Sequence, residues 1–97
     1  MGYYAVRGTL SPAGVASLRK MTAVKMRSKL QRLANELGGE LADLYFNAGN
    51  FGVLAIFDLP SLGSSVPILK MIESGGFDPT PRMIRFEVAS EFDAQLA

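Results

Sequence analysis

The chain has no cysteine, no histidine and no tryptophan. The first absence excludes disulfides, thiolate metal sites and cysteine nucleophiles. The second removes the commonest general base and the commonest metal ligand, and with them a histidine-ligated haem and any Ser-His-Asp triad. Long apolar runs are missing as well. The longest, Val53-Leu54-Ala55-Ile56-Phe57, falls far short of the ~20 residues that span a bilayer. The start, Met1-Gly2-Tyr3-Tyr4, lacks the basic stretch and apolar core of a signal peptide, so no membrane partner and a cytoplasmic location are expected. The glycine-rich loops do not follow the Gly-x-x-x-x-Gly-Lys phosphate-loop pattern, and no Gly-x-Gly-x-x-Gly follows a strand. No cofactor and no metal are therefore assigned.

What is present is globular. Hydrophobic residues make up 48% of the 97 and charged residues 20%, a composition that folds as one domain. Charge is unevenly spread. Seven basic residues and no acid lie between Met1 and Asn35, while three basic and nine acidic residues follow. Six of the first group, Arg19, Lys20, Lys25, Arg27, Lys29 and Arg32, form a basic helical region. Without interleaved aromatics or a nucleic-acid motif, it reads as a solvated helix face or as an attractor for a neighbouring subunit's acidic half, not as a nucleic-acid site.

Patterning predicts a strand from Tyr3 to Leu10. Ser11-Pro12, a cap followed by a first-turn proline, opens a short helix ending near Lys20. Thr22 caps a second helical segment to Leu37, with Met26, Leu30, Leu33 and Leu37 on one face and Gly38-Gly39 as its stop. Ala23 to Leu37 measures about 22 Å as a helix, matching a strand of about 23 Å. Strands then run from Glu40 to Asn47 and from Phe51 to Leu59, joined by Ala48-Gly49-Asn50 as a hairpin. Pro60 ends the third strand. A helix capped by Ser65, with Pro67 in its first turn, carries Ile68, Leu69 and Ile72 inward and stops at Gly75-Gly76. Asp78 to Pro81 is extended, the fourth strand runs from Arg82 to Val88, and Ser90 with Asp93 has capping-box spacing before a last turn carrying Phe92 and Leu96. The order βαββαβ predicts an α+β, ferredoxin-like fold: a four-stranded antiparallel sheet, strands one and three central, both helices on one face.

Strand parity predicts what faces the helices. In strand two, Ala42, Leu44 and Phe46 form the apolar set; in strand four, Ile84, Phe86 and Val88 do. Strand three is apolar on both parities, with Phe51, Val53, Ala55, Phe57 and Leu59 on one and Leu54 and Ile56 on the other, as expected of a strand covered on both sides. A lone βαββαβ unit covers one face only. The second, about 19 by 22 Å, is large enough to mark an interface. A second copy across a two-fold axis is the simplest cover, so a homodimer or higher homo-oligomer is expected.

Leu37-Gly38-Gly39, Leu44-Tyr45, Gly49-Asn50-Phe51-Gly52-Val53 and Leu59-Pro60, with Gly8-Thr9, Ser11-x-x-Gly14, Arg27 and Thr80 to Arg85, resemble the GYD domain family. The resemblance implies a ferredoxin-like fold of the dimeric α/β-barrel type, in bacteria or archaea, with no established activity. The sequence departs from the family at its namesake motif, where Phe51 stands for the tyrosine and Gly52 for the aspartate, and at Gly63-Ser64-Ser65-Val66-Pro67.

Candidate ligand-binding residues are Arg7, Asp43, Tyr45, Asn50 and Arg85. Arg7, Asp43, Tyr45, Arg85 and Glu87 share the more polar parity of their strands, where an arginine can hold a carboxylate by two bonds. Interface pairing is the ordinary account of the same groups. Asn50 lies in a glycine-flanked turn that either borders a pocket or merely needs positive φ. No carboxylate pair presents itself as acid and base, and no catalytic residue is assigned. Two functions follow: an oligomeric small-molecule-binding or protein-interaction module, or, by analogy with other dimeric α/β-barrel proteins, a cofactor-independent enzyme of monooxygenase or isomerase type acting on a small aromatic or carbonyl metabolite.

Overall fold

The computed structural model describes residues 2–61, 63, 66–68, 70 and 82–96. Strands β1 (Gly2–Thr9), β2 (Glu40–Asn47), β3 (Gly52–Leu59) and β4 (Arg82–Phe86) form one sheet in the order β2-β3-β1-β4. All three pairings are antiparallel. Helices α1 (Pro12–Met21) and α2 (Ala23–Glu36) connect β1 to β2, and a C-terminal helix α3 spans Ala89–Leu96. Val66, Pro67, Ile68 and Lys70 are helical between β3 and β4. The expected cap at Ser65, the inward Leu69 and Ile72, the stop at Gly75-Gly76 and the extended Asp78 to Pro81 lie outside the described residues.

The caps form where the sequence places them. Ser11 Oγ accepts from Gly14 N at 3.2 Å and Pro12 occupies the first helical position. Thr22 closes α1 by donating its N–H to Leu18 O (2.7 Å) and opens α2 by accepting from Lys25 N (3.3 Å). To do both it adopts φ 72°, ψ 153°, a region costing a β-branched residue of order 1–3 kcal/mol. α2 ends in a Schellman arrangement: Gly39 N donates to Ala34 O (2.9 Å), Gly38 N to Asn35 O (3.1 Å), and Gly38 carries the positive φ of 83°.

The core lies between one sheet face and α2. Tyr4, Val6, Leu41, Ala55, Phe57 and Leu59 meet Leu30, Ala34 and Ile68, with Met26, Leu33, Leu37 and Leu44 at its margin. The α2 stripe and the inner set of β3 from Val53 onward are as the periodicity predicts, whereas Phe51 lies in the preceding turn and is exposed.

Two face assignments are corrected. In β2 a bulge falls between Leu41 and Asp43, so Leu41 stands opposite Phe57 and Asp43 opposite Ile56. The extra residue, Ala42, breaks the alternation, and Leu41 replaces it in the core. In β4 the register sets Met83 opposite Val6 and Arg85 opposite Tyr4, while Ile84 and Phe86 stand opposite Ala5 and Tyr3. Ile84 and Phe86 therefore share the face away from α2 and are exposed. The C-terminal capping box is also revised. Phe92 N bonds to Val88 O at 3.0 Å, so α3 begins before Ser90, which lies inside the helix and not at its cap.

Candidate functional site

The face of the sheet away from α2 carries large side chains that are exposed. Register assembles it from Tyr3, Ala5 and Arg7 on β1, Asp43 and Tyr45 on β2, Leu54, Ile56 and Asp58 on β3, and Ile84 and Phe86 on β4. Tyr45, Ile84 and Phe86 are each more than half exposed, a costly way to leave large side chains in water. A broad open concavity of about 1580 Å³ lies over the hairpin end of this face, bordered by Arg7, Tyr45, Asn50, Leu54, Ile84 and Phe86. The C-terminal helix does not cover it. Every residue of α3 is exposed, and Val88, Phe92 and Leu96 form a second apolar stripe without cover.

The candidate polar residues do not all meet. Arg7 and Tyr45 stand in one row on either side of Leu54, about 10 Å apart at the usual strand spacing. Asp43 joins them through Tyr45, whose hydroxyl donates to Asp43 Oδ1 at 3.2 Å. Asn50 is occupied within its own turn. Its Oδ1 accepts from Gly52 N (2.8 Å), while Asn47 Oδ1 accepts from Gly49 N (2.8 Å). The positive φ of that turn sits on Phe51, at 55°, and not on a glycine. Arg85 departs from the group. It pairs with Tyr4 on the α2 side of the sheet, against Gly2. Glu87 accepts a hydrogen bond from Gln95 Nε2 in α3.

Parity alone missed Tyr3, Glu40 and Asp58. Asp58 is the lone acid in an otherwise apolar strand, Gly52–Leu59, and that solitary charge was the available signal. Its Oδ1 is buried and has no hydrogen-bond partner among the described residues. Such groups are few in folded proteins. The six basic residues of α1 and α2, Arg19 through Arg32, are all exposed on the helical layer.

The bond to Asp43 raises the Tyr45 hydroxyl above its ordinary pKa of 10.0. The charge of Asp43 and some desolvation add to this, and Arg27 pulls weakly the other way. Tyr45 is thus a hydrogen-bond donor at neutral pH, not a base. The ultraviolet absorbance of tyrosinate, recorded as the difference between wild type and Tyr45→Phe, is expected to rise at higher pH than for free tyrosine. Asp43→Asn is expected to bring it back down. Because the ring is solvent-exposed, this titration should leave unfolding stability unchanged below pH about 10.

The fold and this face define an α+β domain: a four-stranded antiparallel sheet with helices, one face packed and the other open, apolar and edged with charge. Among the described residues no three of Asp, Glu, His or Cys gather as a metal-holding group, and no helix is long and apolar enough to cross a membrane. Neither a comparison with known protein families nor one with curated proteins gives a match for this chain.

Proposed function

We propose that this chain is a self-associating, ferredoxin-like domain of the dimeric α/β-barrel type, as its resemblance to GYD domain proteins implies, and that two copies join through their open sheet faces. The carrying observation is the exposure of Tyr45, Ile84 and Phe86 on a face that α3 leaves bare. The strand order β2-β3-β1-β4 supports the ferredoxin-like reading, since two βαβ-type crossovers interleaved in one sheet give that order. A standard interface takes about 800 Å² from each partner, more than the sheet face alone supplies. The stripe Val88, Phe92 and Leu96 is further exposed apolar surface. A small-molecule ligand fits the same hollow, between the paired sheets and next to Arg7 and Tyr45. The cofactor-independent enzyme has less support, because Tyr45 is held protonated and Asp43 is already engaged by it.

Light scattering at micromolar concentration is expected to return twice the 10.4 kDa of one chain. Ile84→Glu, which places a charge on the joined face but not in the core, should return a folded single chain. A wild-type protein that stays at single-chain mass overturns the proposal.

A further inference from the structure

Two symmetric arrangements bring these faces together with their strands aligned, and the charges on the face distinguish them. Resting on the self-association reading, we propose that the two-fold axis lies across the strands, so that Arg7 of each copy meets Asp58 of the other. Register orders the face into rows. One end row holds Glu40, Asp58, Tyr3 and Phe86; the middle row holds Asp43, Ile56, Ala5 and Ile84; the other end row holds Tyr45, Leu54 and Arg7, with Arg82 in register beside Arg7. One end is acidic and the other basic. Within one copy Arg7 and Asp58 are about 14 Å apart at strand rise and spacing, too far to pair.

Stacked sheets lie about 10 Å apart. An axis parallel to the strands lays each end row on its own counterpart. Arg7 then sits beside the partner's Arg7 and Asp58 beside the partner's Asp58, on the two central strands where water is excluded and like charges cost most. An axis across the strands exchanges the end rows. Arg7 then lies over the partner's Tyr3, which offers its ring to a guanidinium. The partner's Asp58 is one strand away, about 11 Å between Cα atoms, a gap that an arginine and an aspartate span between them. Charge-assisted pairing of this kind forms twice in the dimer. Asp43 lies over its own counterpart in this arrangement, but on edge strand β2, where it is exposed and water screens it.

The test is sedimentation equilibrium on charge variants whose folding is checked by circular dichroism. Arg7→Glu should raise the dimer dissociation constant at least about 30-fold. Adding Asp58→Lys to it should recover most of that loss, and Asp58→Asn, which removes the repulsion without adding a charge, should recover part of it where the lysine variant does not fold. Under the other axis Arg7→Glu leaves the constant unchanged, because glutamate then faces glutamate as arginine faced arginine. A dimeric wild type with an unaffected Arg7→Glu variant, or with no rescue by either folded double variant, overturns the axis and leaves self-association standing. A monomeric wild type overturns the reading beneath both.

Discussion

Replacing Phe57 with alanine is expected to cost about 3–5 kcal/mol and to lower the melting temperature by at least about 12 °C. Phe57 is fully buried on central strand β3, flanked in register by Tyr4 and Leu41. Its ring fills the space beneath Leu30 and Ala34 of α2 in a single core cluster. Two strands and a helix fix the walls of that space, so the hole left by the ring cannot close, and the lost transfer energy and the cavity term add. A domain of this size has the lower part of the usual range of about 5–15 kcal/mol to lose. Phe86→Ala is the informative contrast. Phe86 is as large but lies on the open face, so its loss should change single-chain stability by no more than about 0.5 kcal/mol. It should instead weaken self-association. Both variants are best compared by urea unfolding at one protein concentration, because association couples to apparent stability.

Gly39→Ala is expected to cost about 3 kcal/mol, and the adjacent Gly38→Ala only about 1 kcal/mol. The two glycines are needed for different reasons. Gly38 holds the left-handed turn at φ 83°, but a Cβ there would meet only Pro60 at 3.8 Å. The cost is backbone strain alone. At Gly39 a Cβ would lie 2.1 Å from the carbonyl oxygen of Asp58 and 3.1 Å from Leu59 Cα. Both obstacles are backbone, so no side-chain rotation relieves them. The start of β2 must swing off β3, taking with it the pairings Glu40 to Asp58 and Leu41 to Phe57. Urea midpoints for the two variants should therefore differ clearly, with Gly38→Asn the mildest of the three. A Gly39→Ala midpoint equal to that of Gly38→Ala would mean that the approach of β2 to β3 is looser than the structure has it.

The division between what was legible in the residues and what was not follows the range of the forces involved. Local rules reached the helix starts at Ser11 and Thr22, the stop at Gly38-Gly39, the inward stripe of α2 and the buried set of β3, because each depends on neighbours within about one turn or one pleat. They also reached the apolar character of the outer face of β3, through Leu54 and Ile56, although Asp58 shares that parity. Local rules reached Leu44 and Phe46 of β2 but not the exchange of Ala42 for Leu41, and they missed the facing of β4. Both strands carry apolar residues on both parities, and their orientation is set by the strand they pair with. The bulge at Ala42 and the register of Ile84 and Phe86 against β1 exist only once two distant segments meet. For the same reason Arg85 left the candidate site and Asp58 entered the open face. Alternation along a strand says which residues share a side, and only hydrogen bonding to the next strand says which side that is.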